Sequence, residues 1–266
     1  RLEQAPFPNE RTMQPKNFLV IMSDEHNPKI MGCSGHGMIK TPNLDKLAAR
    51  GTRFNSAYTT SPICVPARAS FATGRYVNDI RYWDNAMPYE GRVPSWGHRL
   101  MDRGHRVLSI GKLHYRNDKD PCGFDEEIVP LHVVDGLGDL MGMVRDDPPV
   151  RQKAREYIEQ AGRGESTYTN YDREITTHTL DWLRTEAPKH TDKPWTVFVS
   201  LVCPHFPLMA PNDFWDLYQS EALPWPIANV PGQKPDHPGI EDYWRLNQYS
   251  KPFSEEETRR AVHAYW

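Results

Sequence analysis

Three short apolar runs, two of them preceded by a helical pattern, constrain this chain most. Residues 17–23, 105–111 and 195–202 are each a nearly continuous stretch of aliphatic and aromatic side chains, the composition of a strand buried on both faces. The second run follows a helical pattern from Trp96 to Arg103 closed by Gly104. The third follows one from Tyr171 to Glu186 closed by Pro188. Helix–strand alternation of this kind predicts an α/β sandwich around a largely parallel sheet. Open sheets of that class hold ligands beyond the carboxyl ends of their strands. Asp24, Lys112, His114 and His205 all stand just past such an end, and strand position alone makes them candidates.

With 266 residues the chain is long enough for one large core. No apolar stretch approaches the roughly 20 residues that span a bilayer, so no membrane segment is expected. A net charge of −3 argues against a nucleic-acid partner, which needs a basic face. The four cysteines, Cys33, Cys64, Cys122 and Cys203, show neither CxxC spacing nor a dense pattern, so no disulfide framework or zinc ribbon is expected. Residues 1–12 lack the charged-then-apolar order of a signal peptide. They read as an unstructured lead before Met13, and a cytoplasmic location is the expectation. Residues 115–150 and 205–253, rich in Pro, Gly, Asp and Trp, read as excursions over the ligand-binding face. Ser254 followed by Glu257 marks a capped helix start. Trp83, Trp96, Trp215, Trp225 and Trp244 suit an aromatic or cation-binding pocket, although tryptophans more often belong to the core.

The densest chemistry lies in Cys64-Val65-Pro66-Ala67-Arg68. Pro66 suits a first helical turn, where its missing N–H is not needed. Arg68 then falls one turn from Cys64 on the same helix face. Cys64 sits at a helix mouth, where free N–H groups and the dipole favour an anion. Taken alone, Cys64 reads first as a buried structural thiol, since most cysteines are structural. A cysteine-phosphatase loop is excluded, because three residues rather than five separate Cys64 from Arg68.

The pentapeptide, with Thr73-Gly74 behind it, resembles the signature of the type I sulfatases, members of the alkaline-phosphatase-like superfamily. Four further segments fall in that family's order: the strand ending at Asp24-Glu25, Thr41-Pro42-Asn43-Leu44-Asp45, Gly111-Lys112-Leu113-His114 and Pro204-His205-Phe206-Pro207. The resemblance implies a three-layer α/β/α sandwich and hydrolysis of sulfate monoesters. It implies that Cys64 is oxidised to formylglycine, whose hydrate attacks sulfur, and that a divalent cation assists, calcium foremost with manganese or magnesium as alternatives. By the same resemblance Asp24 and residue 64 hold the metal, with Glu25 either a ligand or a supporting residue where relatives carry a second Asp. Arg68 holds the nucleophile, Lys112 binds sulfate, His114 contacts the formylglycine and His205 protonates the leaving alcohol. Asn85 stands where phosphonate monoester hydrolases place a substrate-contacting Asn, and hydrolysis of phosphonate monoesters or phosphodiesters is the alternative activity. Those hydrolases lack the Gly-Lys-x-His element kept here. The implied partners are a small sulfate ester and a formylglycine-generating or sulfatase-maturing enzyme, with a homo-oligomer compatible.

The family continues well past the position of Trp266, and no Asp-His-Gly or Asp-Asn-Gly follows His205. Residues 13–266 are therefore expected to be the N-terminal portion of the catalytic domain, with the C-terminal part missing. A fragment without turnover of its own is the second alternative.

Overall fold

A computed structural model describes residues 16–140, 146–147, 149–151, 153–226 and 236–266. The expected lead at residues 1–12 and the start at Met13 lie outside them. Along the chain run β1 (Phe18–Met22), α1 (Pro42–Arg50), α2 (Cys64–Thr73), α3 (Val77–Ile80), α4 (Trp96–Met101), β2 (Arg106–Lys112) and β3 (Glu126–Leu131). There follow α5 (Glu156–Glu159), β4 (Gly162–Arg163), α6 (Thr167–Thr185), β5 (Trp195–Ser200), β6 (Met209–Ala210), α7 (Asn212–Trp215), α8 (Pro238–Leu246) and α9 (Glu255–Tyr265). The main sheet has the order β1-β5-β2-β3 and is parallel throughout; β4 and β6 form a separate parallel pair.

Two apolar layers sandwich this sheet, as the alternation of helices and strands predicts. Strand periodicity decides which side chain meets which layer. Trp195, Val197 and Val199 of β5 join Leu108 and Ile110 of β2 against Ile175 and Trp182 of α6. Phe198 points the other way, into a cluster with Ala69 and Ala72 of α2 and with Tyr82, Tyr89, Leu113, Tyr115 and Cys122. Ser200 shares the parity of Phe198 and so ends β5 on the α2 side. The helix α6 starts four residues earlier than its pattern suggests, because Ser166 and Thr169 form a reciprocal cap. The start of α9 is capped as expected by Ser254 and Glu257.

Two expectations need correction. The run at 17–23 is a strand, but it is not buried on both faces. Among the described residues it pairs only with β5, at one edge of the sheet, and Phe18 and Ile21 are 61% and 64% exposed. No described element covers that side. The stretch 115–150 is also less irregular than it reads, since Glu126–Leu131 is a strand at the opposite edge. Two glutamates and Pro130 hide it from a hydrophobicity scan, and an edge is where a sheet tolerates such residues.

Candidate active site

The carboxyl ends of β1, β5 and β2 meet the N-terminus of α2. Asp24 lies on the bend after β1, Cys64 is the first residue of α2, Arg68 stands one turn on and Lys112 closes β2. Among the described residues, donor atoms of Asp24, Cys64 and His205 lie within 4.8 Å of one another. Asp24 Oδ2 accepts from Lys112 Nζ at 2.5 Å and from Arg68 Nη2 at 3.3 Å. Arg68 is buried, and its Nη1 donates to the Lys112 carbonyl at 2.6 Å and to Ser200 Oγ at 2.9 Å. The guanidinium thus ties α2 to the ends of β2 and β5 and to the turn after β1, with fork geometry that lysine lacks.

Lys112 arrives by a backbone irregularity. Strict alternation would send it to the α6 face with Leu108 and Ile110. The β2–β3 register instead shifts between Ile110 and Lys112, and Gly111 adopts φ +100°. Bulges re-aim side chains in this way, and Lys112 Nζ ends on Asp24. His114 does not continue the extended run of β2. It has φ +58°, and its N–H and that of Leu113 both donate to the Leu131 carbonyl. His114 is nevertheless close enough to feel Lys112 and Arg68, and its Nδ1 is buried without a partner. That orphaned nitrogen is a group left for a ligand to satisfy.

His205 follows β5 in a loop whose start is held by Asp172 of α6. The carboxylate oxygens of Asp172 accept from the N–H groups of Val202 and Cys203 at 2.7 and 2.8 Å. The edge of Tyr168 packs on the His205 ring at 5.7 Å. His205 Nε2 lies 3.5 Å from Glu25 Oε1. Glu25 stands outside the Asp24–Cys64–His205 group and turns its carboxylate to His205. Asn85 Oδ1 accepts from Val65 N–H at 3.1 Å. The residue before the helix, Ile63, cannot cap with its side chain, so Asn85 supplies the acceptor that α2 needs at its first turn.

Burial raises the Asp24 carboxyl, but Lys112 and then Arg68 outweigh it and hold Asp24 below its ordinary value. Asp24 is therefore ionised. Glu25 is pushed up by burial and by Asp24, against the pull of His205. The Cys64 thiol is raised by burial and by Asp24, against Lys112, which makes the unmodified side chain a poor thiolate nucleophile. Burial, then Lys112 and Arg68, lower His114 to about 3, so its ring is neutral near pH 7. Lys112 and Arg68 thus face the carboxylates of Asp24 and Glu25 beside a helix N-terminus, and their clustered donors suit an oxyanion.

Ser200, Asp172, Tyr168 and the capping use of Asn85 carry no local signal; only the fold brings them to the site. The tryptophans do not build a shared pocket: Trp96 packs with Phe71, Phe124 and Phe198, Trp215 stacks on His263, and Trp225 lies under Arg259.

A parallel α/β sandwich with a charged cluster at its strand ends is compatible with the alkaline-phosphatase-like architecture. The chain shares it with the phosphonate monoester hydrolase of Silicibacter pomeroyi, with a TM-score of 0.63 at 21% identity over 94% of this chain and 56% of that one. A putative sulfatase from Bacteroides fragilis superposes with a TM-score of 0.54 at 20% identity, over 99% of this chain and 57% of that one. The Sulfatase family model matches residues 16–251, and the chain belongs to the sulfatase family. It is 30% identical over 265 residues to a choline-sulfatase of Rhizobium meliloti (strain 1021), covering 94% of this chain and 50% of that protein. The chain spans about half the length of the curated relatives it matches. Membership brings the expectation of a metal and of formylglycine. No described helix is long and apolar enough to cross a membrane.

Proposed function

We propose that this chain is the nucleophile-bearing portion of a sulfate monoester hydrolase, with Cys64 the precursor of formylglycine. The observation that carries the reading is the convergence of Asp24, Cys64 and His205 with the fixed cations of Arg68 and Lys112. Asp24 and residue 64 would hold a divalent cation. As thiol, imidazole and carboxylate the donors suit a transition metal; an oxygen in place of the Cys64 sulfur shifts the set toward a hard cation such as calcium. When bound, the metal and the formylglycine supply Lewis acidity and a nucleophilic hydroxyl at residue 64.

The remaining steps belong to the chain's own side chains. Lys112 neutralises a sulfate oxygen, and Arg68 fixes the helix that carries residue 64. His114, neutral and short of a hydrogen-bond partner, contacts the oxygen at residue 64. His205 protonates the leaving alcohol, and Glu25 orients its ring from 3.5 Å. Asn85 holds the start of α2 through its Oδ1, which leaves its amide nitrogen for the substrate. The partners that follow are a small sulfate ester and an enzyme that matures Cys64.

The test is peptide mass spectrometry of residue 64 in the full-length protein produced beside a maturing enzyme, with turnover of an aryl sulfate and a phosphonate monoester. The expected result is loss of the Cys64 sulfur, preference for the sulfate and no turnover by Cys64→Ala. An active preparation with an intact thiol overturns the reading; faster turnover of the phosphonate moves the substrate class.

A further inference from the structure

The backbone that carries Asp24 has little regular structure of its own. β1 stops at Met22, and the bonds from His26 to Ile30 and from Lys29 to Asn27 are local. A longer reach comes from the end of α9. Tyr265 Oη donates to the Glu25 carbonyl at 2.8 Å and accepts from Asn27 N–H at 2.7 Å, across 240 and 238 residues. Just ahead of those two bonds the chain bends at Asp24 and Glu25, and Glu25 holds φ +61°. A non-glycine residue keeps that conformation only where its surroundings impose it.

The helix that delivers the hydroxyl is itself fixed. Its start is capped by Ser254 and Glu257. Near its other end His263 stacks on Trp215 with centroids 3.8 Å apart and bonds the Trp215 carbonyl at 3.0 Å. Trp266, the residue after Tyr265, meets the His36 ring at 4.4 Å. Farther along the same loop, Tyr218 Oη accepts from Lys40 N–H at 2.8 Å.

We propose that Tyr265 is a positioning residue for the cation site: its hydroxyl clamps the Glu25–Asn27 backbone so that Asp24 presents its carboxylate toward Cys64 and His205. It touches neither substrate nor metal. This rests on Asp24 being a metal ligand, and it adds a residue far from the signature motifs. Without the clamp, Glu25 relaxes, and part of the binding energy goes into re-forming the turn. Loss of the two hydrogen bonds then weakens cation affinity by about tenfold.

The experiment titrates Mn²⁺ alone into the full-length protein by electron paramagnetic resonance, for the parent, Tyr265→Phe, Tyr218→Phe and Asp24→Asn. Thermal unfolding of the metal-free variants confirms that each is folded, since Tyr265→Phe removes one oxygen and keeps the ring. The expected result is a Kd about tenfold weaker for Tyr265→Phe, within twofold of the parent for Tyr218→Phe, and weaker still for Asp24→Asn. An unchanged Kd in Tyr265→Phe overturns the clamp while leaving the metal site standing. Equal weakening by Tyr218→Phe overturns it too, because any anchor of the loop would then serve. An unchanged Kd in Asp24→Asn removes the metal-site reading and the clamp with it.

Discussion

At the site, the buried carboxylate is paired and the buried imidazole is held neutral. Asp24 is kept ionised by Lys112 and Arg68, while His114 has no counter-charge strong enough and stays neutral. The core obeys the same rule. Cys122 is 2% exposed among Tyr89, Tyr115 and Leu113. Burial first, then Glu127 and Asp120, push its thiol from 9.0 up to about 12. A raised acid pKa favours the folded state below the unfolded value and loses that contribution as pH rises toward the folded one. Between pH 9 and 11 the unfolded chain therefore releases a proton that the folded chain keeps. The expected loss is up to about 1.4 kcal/mol per pH unit from this residue. Guanidinium unfolding across that range should show a shallower alkaline decline for Cys122→Ala than for the parent; parallel curves would refute the assignment.

Elements converge on the site through a few backbone devices. The bulge at Gly111 is one of them. A Cβ there would run into the Ser200 carbonyl and lie 2.7 Å from Ile175 Cδ1, at φ +100°. Overpacking and the left-handed backbone each cost on the order of 1–3 kcal/mol, so Gly111→Ala should lower stability by about 3 kcal/mol in a urea titration. It should also turn Lys112 away from Asp24, and a loss under about 1 kcal/mol would mean that β2 and β5 can separate there at little cost. The Gly-Lys-x-His element was legible as a string with its family order, but the reason for its glycine was not. A glycine before a lysine says nothing of the strand lying across it. The same holds for Asn85, whose bond to Val65 closes α2 from a loop twenty residues downstream.

At the scale of the whole molecule the sheet is unevenly covered. β5 and β2 are buried under α2 on one side and α6 on the other, whereas β1 exposes Phe18, Leu19 and Ile21 along an edge that no described strand pairs. An apolar edge strand of that kind recruits other strands. The 266-residue polypeptide by itself should therefore self-associate at about 10 µM, a concentration at which exposed apolar edges aggregate. Light scattering should report less association for Ile21→Lys, and a parent that stays monomeric would show the edge to be harmless. The expectation of a strand buried on both faces came from side-chain character alone, which records what β1 is suited to and not what covers it among the described residues.

By itself the sequence determined the class of fold and the strand ends at which Asp24, Lys112 and His205 stand, with Cys64 and Arg68 one turn apart on one helix. Those follow from local pattern: periodicity sets helix and strand, and short motifs survive as strings. The tertiary structure decided how the residues are held. Arg68 reaches Ser200, Asp172 fixes the approach to His205, Glu25 turns to His205, and Tyr265 bonds the turn beside Asp24. Each of those contacts joins residues far apart in the chain. Only packing brings such partners within the roughly 3 Å over which a hydrogen bond forms.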